Sequence, residues 1–150
     1  MSLEQLNQLK QQEENRQQAL LSRYQTLRVA AARLNASMSA VSEITPSSEG
    51  KEVMVPLTES VYVPGKIREP DKMLVDIGTG FYVERTSKDT TGFLERKLKL
   101  VDANSDNITK ALTATAQNIE SLSMTMQGKM LEIRARQEGQ RYQAKEDQST

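Results

Sequence analysis

The chain has no cysteine, no histidine and no tryptophan among its 150 residues, and its aromatics amount to two Phe and four Tyr. Without Cys or His there is no disulfide framework, no soft-metal site and no thiol or imidazole to serve as nucleophile or base. No metal site and no cofactor is therefore expected. No apolar run approaches the ~18 residues needed to cross a bilayer. The opening residues Met1–Asn7 lack a basic segment followed by an apolar stretch, so neither a signal peptide nor a membrane partner is expected. In such a chain the acceptor patterns Asn35-Ala36-Ser37 and Asn107-Ile108-Thr109 are expected to go unused, and the missing Cys suits a reducing compartment.

An excess of charge of one sign is lacking too. Twenty acidic side chains balance twenty basic ones, whereas a reader of nucleic acid normally presents a basic face. No nucleic-acid partner is expected, and the cluster Glu95-Arg96-Lys97-Leu98-Lys99 reads as the solvated side of a helix. Hydrophobic residues make up 37 % of the chain, below the ~45–50 % usual for globular proteins. The core is thin.

Proline and glycine are scarce outside one region. All four prolines (Pro46, Pro56, Pro64, Pro70) fall within 25 residues, and five of the seven glycines lie in or just after that window. Proline breaks helix interiors and glycine weakens them, so the chain divides into helix, irregular or β middle, and helix. The expected boundaries are 1–44 for a first coiled-coil helix, 45–85 for the middle, 86–142 for a second coiled-coil helix and 143–150 for a frayed polar tail.

In the first arm, Ser2 and Gln5 fit a capping box. Leu20, Tyr24, Leu27, Ala31, Leu34, Met38 and Val41 then follow a 4-3-4-3-4-3 spacing, the seven-residue period of a left-handed coiled-coil seam. At ~1.5 Å per residue the arm is about 60 Å long. The second arm opens with Thr86 and Asp89 as a cap. Its ladder runs Leu94, Leu98, Val101, Ser105, Ile108, Leu112, Thr115, Ile119, Leu122, Met126, Lys129 and Ile133 without a slip, then turns polar at Arg136 and Gln140.

Two such arms joined by a short middle fold back as an antiparallel hairpin. Aligning the ladders sets Val41 opposite Leu94, Leu34 opposite Val101, Ala31 opposite Ser105 and Leu20 opposite Thr115. Farther out, Gln17, Glu13 and Lys10 face Ile119, Leu122 and Met126, Leu6 faces Lys129, and Leu3 faces Ile133. Either arm one shifts register near Leu9 or frays, or an apolar stripe stays open near the end of the arms as a contact surface. Each large apolar side chain left wet forgoes ~1.5–3 kcal/mol of burial. Met124, Met126 and Met130 in the same stretch suit varied partners, since unbranched thioethers adapt to differently shaped surfaces.

The middle holds four β-rich runs, Glu52–Leu57 with Ser60–Val63 across Thr58-Glu59, and Lys72–Ile77 with Phe81–Glu84 across Gly78-Thr79-Gly80. Each pair reads as a β-hairpin, and Pro56 marks an edge or bulge. Isolated hairpins are marginal in water, so their apolar residues are expected to pair with other subunits. These are Val53, Val55, Leu57, Val61, Tyr62, Val63, Leu74, Val75, Ile77, Phe81, Tyr82 and Val83. Gly78-Thr79-Gly80 lacks the Gly-Lys-Ser/Thr of a P-loop and the third Gly of a dinucleotide fingerprint, and reads as a turn. Asp76 and Glu84 are read as solvent-facing, with no nucleophile or pocket beside them. The expected class is a non-enzyme.

Helix, two β-hairpins and helix is a plan that resembles the α-class subunits of prefoldin. The resemblance is carried by Glu49-Gly50-Lys51-Glu52-Val53-Met54-Val55-Pro56-Leu57-Thr58, by Ser60-Val61-Tyr62-Val63-Pro64-Gly65-Lys66 and by Leu74–Glu84, about a fifth of the chain. It implies an α+β fold, a long antiparallel coiled-coil hairpin with two β-hairpins at its connecting end. It further implies a heterohexamer with one more α-class and four β-class subunits, in which the hairpins form a platform. The tips would hold unfolded clients, notably actin and tubulin, and hand them to the cytosolic chaperonin without nucleotide. For this chain the implied client-binding residues are Leu3, Leu6, Leu9, Ile119, Leu122, Met126, Met130 and Ile133. The implied compartment is the cytoplasm, with the nucleus left open. A structural coiled-coil adaptor that binds one folded partner is the alternative.

Overall fold

The computed structural model describes the backbone of residues 1–147 and the side chains of residues 1–143. Helix α1 (Leu3–Glu43) is followed by a single 3-10 turn (Pro46–Ser48), strands β1 (Glu52–Pro56), β2 (Tyr62–Lys66), β3 (Lys72–Asp76) and β4 (Tyr82–Thr86), and helix α2 (Ser87–Asp147). The expected order of helix, two hairpins and helix is the order found. Two compact units divide this sequence, one made of residues 1–26 with 105–150 and the other of residues 27–104.

Both expected caps are present. Ser2 N–H donates to Gln5 Oε1 at 2.8 Å and Gln5 N–H donates to Ser2 Oγ at 3.2 Å. Asp89 N–H donates to Thr86 Oγ1 at 3.2 Å, and Ser87 N–H donates to Asp71 Oδ1 from the loop before β3 at 3.2 Å. Four side chains thus satisfy N–H groups that a helix start leaves without an intrahelical partner. Helix α2 continues five residues past its expected end at 142, through good helix formers such as Ala144, Lys145 and Glu146. Residues 148–150 of the expected polar tail lie outside the described residues.

In the unit of residues 1–26 and 105–150, the heptad positions of both helices turn inward. Leu3, Lys10, Glu13, Gln17, Leu20 and Tyr24 are half-buried, as are Ile108, Leu112, Ile119, Leu122, Met126 and Lys129, while Leu6, Ser105 and Thr115 are buried. The register differs from the sequence alignment. Asn118 donates to Glu13 at 3.3 Å, although the alignment set Glu13 opposite Leu122. Lys129 donates to the Met1 carbonyl rather than lying opposite Leu6. Both contacts displace the pairing by about one helical turn. The reason is that a heptad ladder matches itself at more than one offset, and only polar contacts at its margin choose among them. The shift carries Leu6 away from Lys129. Leu6 is accordingly 2 % exposed.

In the unit of residues 27–104, Arg28 pairs with Asp102 at 3.9 Å, again about one turn from the expected alignment. Ala31, Thr90 and Leu94 are buried, with Leu27, Leu34, Met38, Val41, Leu98 and Val101 half-buried between the helices. β1 and β2 form one antiparallel pair, with Val55 opposite Val63 and Val53 opposite Gly65. Their link is longer than expected and runs from Leu57 to Val61. The Thr58 hydroxyl closes it by accepting Val61 N–H at 3.1 Å, and Leu57 N–H donates to the Val61 carbonyl at 2.8 Å. Strand β2 therefore starts two residues later than expected and takes in Pro64 and Gly65, which an outer strand tolerates.

β3 and β4 form a second, separate pair, with Val75 opposite Val83 and Leu74 opposite Glu84. Their turn uses Gly78 and Gly80 at φ of 97° and 77°, a region that L side chains enter at a cost. The Asp76 carboxylate accepts Gly78 N–H at 2.8 Å and Ile77 N–H donates to the Phe81 carbonyl at 3.2 Å, so the glycines serve a hairpin turn.

Two outcomes follow from the burial. Leu6→Ala should cost ~2–5 kcal/mol, read by hydrogen exchange as faster opening of the amides of residues 3–20 with those of both hairpins unchanged. Val75→Asp should cost several kcal/mol by placing a carboxylate in an apolar site, on the order of ~2–7. Leu74→Asp, one residue away on the open face, should stay within about 0.5 kcal/mol in a thermal melt of the chain alone.

Candidate functional site

The chain presents two sets of apolar side chains that it does not cover itself. The first is on the hairpins. Alternation along a strand sends successive side chains to opposite faces, so Val53 and Val55 share a face with Val63, and Met54 and Pro56 share the other with Tyr62 and Pro64. Every residue of β1 is exposed, and in β2 only Gly65 is less so. Leu57 and Val61 at the link are exposed as well. Both faces of this hairpin are therefore apolar and open, and each strand keeps one free edge of N–H and C=O groups.

The second hairpin is two-faced. Leu74 is 73 % exposed, Tyr82 64 % and Phe81 70 %, and Ile77 is exposed beside them. The opposite face turns toward the helices of its own unit. Val75 is 8 % exposed and lines a recess of about 510 Å³ with Met73, Val41, Phe93 and Leu94. Val83 is half-buried. Two of the twelve hairpin residues expected to face other subunits are thus engaged inside the chain, Val75 fully and Val83 in part, because β3 lays one face over α1 and α2. Met54, 65 % exposed, joins the open set beyond the twelve expected residues. Its place between Val53 and Val55 was the available signal.

Charge around this hairpin is structural. Lys72 Nζ lies 3.2 Å from Glu69 Oε1 and 3.6 Å from Glu84 Oε1. The hydrogen bond that Lys72 donates to Glu69, with the charges of Glu69 and Glu84, holds the Lys72 amino group above its ordinary pKa of 10.5. The stabilisation from these pairs is complete below pH 10.5 and fades only as the pH rises past the folded-state value. The physiological range does not touch it. Asp76 and Glu84, considered as an acid and base pair, are both exposed and occupied, Asp76 with Gly78 and Glu84 with Lys72. Among the described residues no group of three or more Asp and Glu could hold a metal ion, and no helix is long and apolar enough to cross a membrane.

The second set lies near the start of α1 and on the C-terminal part of α2. Here the structure sorts the eight expected client-binding residues. Leu6 is buried and unavailable, a correction that follows from the register shift. Leu3, Ile119, Leu122 and Met126 are half-buried along the seam, as are Lys10, Glu13 and Gln17 on α1. Glu13 reaches the margin, where it meets Asn118 and lies 3.8 Å from Arg16. Leu9, Met130 and Ile133 are exposed. Helix α1 begins at Leu3, and every described side chain from Met130 to Gln143 is exposed. Leu131 and Met124, which the heptad ladder does not include, are exposed more fully than any member of the expected set.

Comparison with known proteins places these features. The prefoldin subunit family model matches residues 4–131. A prefoldin subunit 5 of Arabidopsis thaliana is 34 % identical over 135 residues, covering 90 % of this chain and 89 % of the relative. The human prefoldin subunit 5 is 36 % identical over 112 residues, covering 75 % and 73 %. Among solved structures, a chain of filamentous PFD from Methanocaldococcus jannaschii, determined by cryo-EM, superposes with a TM-score of 0.70 at 21 % identity. That superposition covers 79 % of this chain and 98 % of the archaeal one, and shows a common fold. With its helix, two hairpins and helix in place, and with a family match that spans nearly all of them, the chain belongs to the prefoldin subunit family.

Proposed function

We propose that the chain is an α-class subunit of a six-chain prefoldin assembly, joined by one more α-class and four β-class subunits, and that this assembly holds unfolded polypeptides without ATP. The observation that carries the reading is the open apolar surface of the hairpins in a chain related to prefoldin subunits. Two-stranded sheets with free edges and uncovered Val, Met, Leu, Tyr and Phe side chains gain by pairing with strands of neighbouring subunits. Each large side chain so covered contributes ~1.5–3 kcal/mol. Assembly then uses Leu57, Val61, Leu74, Phe81 and Tyr82, while Val75 keeps the second hairpin on its own helices.

Holding rests on the second set. Leu9, Met130 and Ile133 offer a few exposed apolar contacts, with Leu3, Ile119, Leu122 and Met126 reachable when the seam opens locally. One such end binds weakly. Several ends acting on one unfolded chain multiply the affinity through effective concentration, and each weak contact can still let go without nucleotide. The clients of this reading are unfolded actin and tubulin, the recipient is the cytosolic chaperonin, and the compartment is the cytoplasm. No catalytic step is involved.

Native mass spectrometry of the chain mixed with β-class subunits and a second α-class subunit should give a six-chain species. Replacing Leu74, Phe81 and Tyr82 with Ser should abolish that species while leaving the helical circular dichroism of the chain unchanged. A lone monomer from the wild-type mixture would refute the assembly. Replacing Leu9, Met130 and Ile133 with Ser should keep the six-chain species and reduce suppression of aggregation of several unrelated denatured proteins. Unchanged suppression would remove these residues from the holding surface. An assembly that ignores all denatured proteins and binds one folded protein would be an adaptor instead.

A further inference from the structure

We propose that the outer face of α2 between Glu120 and Arg141 docks antiparallel on the same face of a second copy of this chain. Met124, Gly128, Leu131 and Ala135 recur at 4-3-4 spacing, a second heptad stripe on α2, and all four are exposed. They lie away from the seam positions Ile119, Leu122, Met126 and Lys129, which turn inward. Met124 is 63 % and Leu131 66 % exposed, and a Cβ added at Gly128 would meet nothing within 4 Å. A recess of about 290 Å³ beside the stripe is lined by Gln127, Met130, Leu131 and Arg134.

The order of large and small residues selects the occupant. Setting Gly128 against Leu131 of an antiparallel second copy also sets Met124 against its Ala135. Every rung then joins a large side chain to a small one, twice over by symmetry, as close packing requires. A parallel arrangement would set Leu131 on Leu131 and leave a gap at Gly128. The margins agree with the antiparallel register. Glu120 comes level with Arg141 of the second copy, and Gln127 with its Arg134, so the opposite charges meet at both ends of the contact. The same kind of marginal pairing joins Arg28 to Asp102 across the antiparallel helices of this chain. Among the described residues neither Glu120 nor Arg141 has an ion-pair partner. An unfolded polypeptide seated on this face would have no need of such self-complementary charge.

Because the chain contains no cysteine, introduced thiols test the register in the full-length protein. Met124→Cys and Ala135→Cys variants, mixed and mildly oxidised, should give a covalent two-chain species. Neither variant alone should give it, since like positions of antiparallel copies lie eleven residues apart, roughly 16 Å, against the ~7 Å reach of a disulfide between Cα atoms. Adding Glu120→Arg to both variants should abolish the species, and adding Arg141→Glu as well should restore it. No mixed disulfide, or an equal yield from Met124→Cys alone, would overturn the proposal. So would a Glu120→Arg chain that cross-links normally but loses suppression of aggregation of a denatured protein, which would assign the face to clients.

Discussion

A pair of antiparallel helices buries one stripe of each, and the rest of this chain answers to that limit. Heptad spacing confines the buried residues to about two positions in seven, so the seam of α1 and α2 leaves no apolar surplus with which to cover another layer. The hairpins between the helices must then be completed from outside or remain partly bare. Val75, Val83 and Met73 find cover within the chain, because β3 turns one face onto the helices of its own unit. Leu74, Phe81 and Tyr82 on the other side, and nearly all of β1 and β2, stay open.

The polar residues inside the seam are consistent with a contact meant to hold its place more than to be maximally stable. Lys10, Glu13 and Gln17 on α1 and Ser105 and Thr115 on α2 occupy positions where Leu or Ile would bury more apolar surface. Thr115 is satisfied by donating its hydroxyl to the Ala111 carbonyl at 2.9 Å, and Glu13 accepts from Asn118. Such groups tolerate one register better than its neighbours, since an offset that removes the partner leaves a desolvated polar group behind.

Much of the fold was legible because it rests on local chemistry. Ser2 with Gln5 and Thr86 with Asp89 cap the helices as their spacing indicates, and the clustering of proline and glycine marks where helix gives way to strand. The turn at Gly78 and Gly80 follows from residues that alone enter positive φ cheaply. The link closed by Thr58 is three residues longer than expected, because a hydroxyl closing a loop leaves no periodic trace. Helix α2 outlasts its expected end because a polar run argues only against a seam, whereas helix propensity carries the backbone on to Asp147. Leu6 was placed among open residues for a different reason. Its exposure depended on an offset between two ladders that repeat every seven residues and fit one another in more than one way.

The sequence by itself determined the elements, the inward stripe of each helix, the absence of soft-metal and imidazole chemistry, and the family to which the chain belongs. These depend on residue identity and on spacing within one segment. Only the tertiary structure decided which residues remain open, since burial depends on what lies opposite. Leu6 closes within the seam of its own unit, Val75 closes because β3 lies over the helices, and Met54, Met124 and Leu131 stay open because no described residue covers them.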